Sequence, residues 1–102
     1  MKIEGKFLVD NRTKKDAAYP YRKLNTVMDY DGESAILVDF LDPDFAMVMK
    51  RIDLIITKKG SPLSHLSILA REYKKSIFLT DADISEDGTI TFAGDTKAEI
   101  KG

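Results

Sequence analysis

A single histidine, His65, follows the break Gly60-Ser61-Pro62 and enters the run Ser64 to Lys74, where Leu66, Leu69, Ala70 and Tyr73 recur at helical spacing. The apolar run Leu54-Ile55-Ile56-Thr57 before the break reads as a buried strand. This spacing places an imidazole at a helix start, just past the carboxyl end of a strand, where ligands gather in open α/β sheets. A helix start presents unpaired N–H groups and the positive end of a dipole. Imidazole attacks phosphorus only as the neutral base, and a positive dipole end disfavours added positive charge. After attack, the same N–H groups would stabilise the negative phosphoryl group. One electrostatic feature would thus serve both halves of a phosphoryl-carrying cycle. Ser61 and Ser64 offer hydroxyls as donors or caps, and Lys58, Lys59 and Arg71 offer positive charge. Spacing alone favours a capping, packing or surface role for a lone helical histidine.

The elements around this point alternate. Ala35-Ile36-Leu37-Val38, Leu54 to Thr57 and Ile77-Phe78-Leu79 read as three buried strands. Asp42-Pro43-Asp44 starts a helix between the first two: Asp42 caps it, Pro43 suits its first position and Asp44 complements its dipole. Phe45, Val48 and Met49 continue it at helical spacing. The second helix, from Ser64 to Lys75 at most, separates the other two strands, with Lys74 and Lys75 favouring its end. Strand, helix, strand, helix, strand predicts helices packed on a partly parallel sheet. The fold class is therefore α/β with a mixed sheet and helices near 43–50 and 64–75. Ile3 to Val9 reads as one further strand, Asn11 to Asp16 as a loop, and Leu24 to Met28 as a candidate strand in the least legible stretch. Asp87-Gly88 signals a hairpin, with strands at Thr89 to Ala93 and Lys97 to Ile100.

The chain has 102 residues, which suits one domain over 1–102 and leaves little room for a nucleotide site and a second substrate site together. Acids and bases nearly balance, with a net charge of -1, so neither nucleic acid nor an anionic membrane is the expected partner. Apolar stretches are too short to span a bilayer, and the first residues lack the apolar core of a signal peptide, so the expected location is cytoplasmic. With no cysteine, disulfides, thiolate catalysis and cysteine-metal sites are excluded. No Walker loop, dinucleotide fingerprint or serine-hydrolase elbow is present.

Three other clusters have simpler readings. Asp83 to Ile90 matches the first part of a calcium loop, but Gly94 holds the twelfth position where a glutamate is needed, so an acidic turn is favoured. Helix capping explains Asp42 and Asp44 better than a metal cluster with Asp39. Lys14, Lys15, Arg22 and Lys23 around Tyr19-Pro20-Tyr21 read as a solvated loop or docking surface, not a single-strand nucleic-acid site. Met28, Met47 and Met49 read as core filler. No metal site is expected.

The run from Ile56 through Tyr73 resembles the phosphohistidine motif of the phosphoenolpyruvate-utilising enzymes, the family of phosphoenolpyruvate synthase and pyruvate phosphate dikinase. Thr57, Gly60, Ser64, His65, Ile68, Ala70, Arg71 and Glu72 fall on motif positions. The likeness extends over roughly Ala35 to Ile100, through Asp42-Pro43-Asp44-Phe45 and Ile90-Thr91-Phe92-Ala93-Gly94. It implies the family's swivelling β/β/α domain, with His65 phosphorylated on Nε2. By the same resemblance Ser64 and Thr57 support the imidazole, Arg71 lies near it, and Gly60 and Ser61 stabilise the phosphate. No cofactor would be bound by this chain. ATP, phosphoenolpyruvate and Mg would belong to partner proteins: an ATP-grasp kinase, a phosphoenolpyruvate/pyruvate barrel, or both. The chain would be a carrier that is not catalytic alone. Ser61 replaces the motif's second glycine, Leu63 a frequent threonine, Leu66 and Ser67 two small residues, and Lys74-Lys75-Ser76 a frequent Gly-Ile-Pro. These departures motivate the alternative of a non-catalytic binding or regulatory module that kept the fold without phosphoryl transfer.

Overall fold

The computed structural model describes residues 1–84 and 86–102; Ser85, part of the candidate calcium loop, lies outside the described residues. The strands are β1 (Lys2–Glu4), β2 (Lys6–Val9), β3 (Ala18–Lys23), β4 (Ala35–Phe40), β5 (Leu54–Lys59), β6 (Ser76–Leu79), β7 (Gly88–Ala93) and β8 (Lys97–Lys101). Helix α1 spans His65–Tyr73, and 3₁₀ segments cover Val27–Asp29 and Pro43–Arg51. The eight strands form one mixed sheet in the order β1-β8-β7-β3-β4-β5-β6-β2. Its centre, β3 to β6, is parallel, and the flanking pairs are antiparallel.

The α/β expectation holds, with the three buried strands at β4, β5 and β6 and both crossover helices between them. Side chains alternate across a strand, and the alternation divides the core in two. Ala35, Leu37, Leu54, Ile56 and Phe78 pack with Ile90, Phe92 and Ile100 on one face. Ile36, Val38, Ile55 and Ile77 pack with Phe45, Met49, Leu66 and Ala70 of the helices on the other.

Six local expectations are corrected. Ile3 to Val9 is not one strand: the chain changes partners at Gly5, with β1 on β8 and β2 on β6. A side chain at Gly5 would collide with the carbonyl oxygen of Leu79, so only glycine admits the close approach. The strand placed at Leu24 to Met28 lies earlier, at β3, and Thr26 then caps the Val27–Asp29 turn in a capping box. The basic and aromatic segment is thus no solvated loop: Tyr21 is buried in the core and Arg22 pairs with Glu33 at 2.8 Å. The helix at Pro43 is a 3₁₀ helix running to Arg51. At about 2.0 Å per residue it reaches further than an α-helix of equal length, which suits a crossover retracing a long strand. Asp87-Gly88 is not a hairpin turn. Gly88 begins β7 against the Lys101 carbonyl, and the hairpin lies at Gly94, whose φ is 85. Of the three methionines read as core, Met49 is buried while Met28 and Met47 are exposed.

Candidate functional site

Thr57 ends the buried part of β5, and its hydroxyl donates to the Lys59 carbonyl at 2.8 Å. That bond fixes how the chain leaves the sheet. Gly60 then passes so close to Leu41 and Leu8 that an added Cβ would lie 2.7 Å from Leu41 Cδ1 and 3.2 Å from Leu8 Cδ1. Glycine here lets the loop lie against the core. The carbonyl of Ser61 accepts from the Ser64 amide at 3.1 Å, and its hydroxyl accepts from the Leu63 amide at 3.1 Å. Together these bonds deliver the chain to α1.

Ser64 is the N-cap of α1, with extended backbone and a hydroxyl that accepts from the Ser67 amide at 3.3 Å. Its carbonyl accepts from the Ile68 amide at 3.1 Å. His65 is the first helical residue and is exposed. Among the described residues nothing accepts from the amides of His65 and Leu66, and nothing bonds the His65 imidazole. Two free N–H groups at a helix start beside an accessible imidazole form an anion-accepting arrangement.

The other sequence candidates occupy different places. The Thr57 hydroxyl is directed into its own loop. Arg71 is exposed on α1, six positions after His65, so it lies about 9 Å further along the axis and roughly a third of a turn off the His65 face. Lys58 reaches Asp83 at 3.5 Å, and Lys58 and Lys59 border an open groove of about 600 Å³ with Asp39 and Phe40. Asp42 caps the 3₁₀ helix, accepting from the Asp44 amide at 3.0 Å, as the capping explanation requires. Apolar side chains stand exposed beside the site: Leu63 is 83% and Ile68 50% exposed.

Two residues escaped sequence reasoning. Ser67 is fully buried, donates to the Ser61 carbonyl at 2.7 Å and lies 2.9 Å from the Ser64 hydroxyl. The spacing of three from Ser64 to Ser67 was the available signal, since an N-cap hydroxyl meets the residue three positions on. Arg12, in the segment read as a plain polar loop, is buried and bonded to Asp10, Asp95 and two carbonyls.

The family model described as PEP-utilising enzyme, mobile domain, matches residues 31–97, which carry β4 to β7 and the whole of α1. Phosphoenolpyruvate synthase of Pseudomonas aeruginosa (strain UCBPP-PA14) is 34% identical over 77 residues, covering 71% of this chain and 10% of the relative. The chain spans about a tenth of that relative's length. No helix among the described residues is long and apolar enough to cross a membrane. A fold that brings an exposed histidine to a capped helix start, within a segment matched from end to end by the family model, makes this chain a member of the PEP-utilising enzyme mobile-domain family.

Proposed function

We propose that this chain carries a phosphoryl group on His65, taking it from one partner site and giving it to another. The observation that carries the reading is the exposed imidazole of the first α1 residue beside the free amides of His65 and Leu66. The imidazole lone pair, on Nε2, bonds to phosphorus as the donor's phosphorus–oxygen bond breaks with its electrons on the leaving oxygen. The free amides and the helix dipole then face a dianion. In the second step an acceptor oxygen takes the phosphorus and the electron pair returns to imidazole. Positioning and charge stabilisation supply most of the catalysis in phosphoryl transfer. In this reading they come mainly from the partners: an ATP-grasp kinase site, a phosphoenolpyruvate/pyruvate barrel site, or both, which hold the ATP, phosphoenolpyruvate and Mg. Exposed Leu63 and Ile68 supply apolar contact for docking.

The test is labelling with radioactive ATP plus an ATP-grasp kinase, and with radioactive phosphoenolpyruvate plus a barrel protein. The expected product is one acid-labile, base-stable phosphate on the chain, absent from His65→Ala. Label that persists in His65→Ala, or no label from either donor, overturns the proposal. The second outcome, joined to a stable complex indifferent to His65→Ala, identifies the binding-module alternative that exposed Leu63 favours.

A further inference from the structure

The three serines of the loop form a chain whose proton direction follows from counting. A hydroxyl has one proton. The Ser67 hydroxyl gives its proton to the Ser61 carbonyl at 2.7 Å, because a carbonyl only accepts. The Ser67 and Ser64 hydroxyl oxygens are 2.9 Å apart. Ser67 has no second proton, so Ser64 must be the donor of that bond. The Ser64 oxygen meanwhile accepts from the Ser67 amide at 3.3 Å. The chain therefore runs from Ser64 to Ser67 to Ser61, and the only proton of Ser64 is already engaged, beneath a Ser67 side chain sealed from water.

We infer that Ser67 is a positioning residue that competes with the phosphoryl group for the Ser64 proton and so keeps phosphohistidine at high transfer potential. The inference rests on the carrier reading, with Ser64 as the neighbouring hydroxyl donor. For Ser64 to donate to a phosphoryl oxygen it must first give up its bond to Ser67. That cost is set against the phosphorylated state alone. Hydrolysis of that state joins a water oxygen to phosphorus and breaks the phosphorus–nitrogen bond with its electron pair on imidazole. One water proton stays on the phosphate and the other passes to the ring. In a loose, metaphosphate-like transition state the bond pair leaves with nitrogen, so the phosphoryl group passes from a dianion toward a monoanion. A donor to those oxygens therefore holds the phosphorylated state more than the transition state, and withholding the donor speeds departure.

Ser67→Ala removes the competitor without orphaning the Ser61 carbonyl, which still accepts from the Ser64 amide. The chain is phosphorylated with phosphoramidate, a small donor needing no partner, and decay is followed by phosphorus NMR. Ser67→Ala should lengthen the phosphohistidine lifetime about 2- to 10-fold, the worth of one hydrogen bond. The phosphorus resonance should shift with it. Ser64→Ala should remove both effects, so that Ser64→Ala and the double variant decay alike. An unchanged or shortened lifetime in Ser67→Ala overturns the inference, as does an effect that survives in the Ser64→Ala background. Failure of the carrier reading shows separately, as absence of label from the kinase or barrel partner.

Discussion

The guanidinium carbon of Arg12 sits 4.1 Å above the Phe7 ring, on the strand that closes one edge of the sheet. A second aromatic, Phe92, lies 5.1 Å from the same carbon. Arg12 also donates to Asp10 at 2.8 Å, to Asp95 at 3.0 Å and to the Gly94 carbonyl at 3.1 Å. One buried cation thus ties the Asn11–Asp16 loop, β2 and the β7–β8 turn together. Arg12→Ala should destabilise the fold by about 2–3 kcal/mol, below the cost of breaking a fully buried pair because Asp95 can rehydrate. The denaturant midpoint of the variant against the parent checks it.

The same cluster sets an acid response. The hydrogen bond from Arg12 holds the Asp10 carboxyl well below the usual carboxylate range, against the opposing effect of burial and with help from Lys15. An acid depressed in the folded state adds stability that is complete above its unfolded pKa of about 4 and drains away as pH falls toward the folded value. Denaturant midpoints should therefore hold between pH 7 and 5 and fall below about pH 4. Asp10→Asn should be less stable at pH 7 and should flatten that acid limb.

Gly5 and Gly60 both lie in tight places but differ in what a methyl would strike. At Gly5 it meets the Leu79 backbone and the Phe78 ring, which cannot retreat without parting β2 from β6. At Gly60 it meets the ends of Leu41 and Leu8, which can turn aside. Gly5→Ala should cost about 3 kcal/mol and Gly60→Ala about 1 kcal/mol in chemical unfolding. Gly60→Ala should also lower the rate of His65 labelling, because it moves the loop that sets the imidazole.

Helix α1 ends on Lys74, whose φ of 58 and ψ of 44 place a side chain in the left-handed region. The Lys74 amide still closes the helix on Ala70 and Arg71. Glycine would adopt this conformation without the side-chain clash, at some loss through its freer unfolded state. Lys74→Gly should raise stability by about 0.5–1 kcal/mol, read as a higher melting temperature with His65 labelling unchanged.

The centre of the fold was legible because burial wrote itself into runs: Ala35 to Val38, Leu54 to Thr57 and Ile77 to Leu79 are apolar on both faces and lack helical spacing. The Ser64 cap and the Asp42-Pro43 start were legible because both are local chemistry. What failed was decided at long range. The break at Gly5 answers to Leu79, and the role of Gly88 answers to Lys101. Tyr21 sits in β3 because β7 and β4 lie on either side, although its own segment is charged and carries Pro20. Ser67 stood only as a departure from the motif, because its bonds to Ser61 and Ser64 depend on how the loop folds back. Asp87 marked no turn because its carboxylate is spent on the Lys23 amide at 2.8 Å.

The two outermost strands of the sheet, β1 and β2, are separated in sequence by Gly5 alone. A sheet whose opposite margins are consecutive links must curl until those margins nearly touch. The segment around Gly5 is then a clasp, and its halves find partners only in β8 and β6, far along the chain. Assembly acquires an order: neighbours in the parallel centre lie closer along the chain and can pair early, while the clasp waits on β8 and β6, both far from it in sequence. Protection of the Ile3 and Phe7 amides against solvent exchange should therefore arise late in refolding and in step, as one latch.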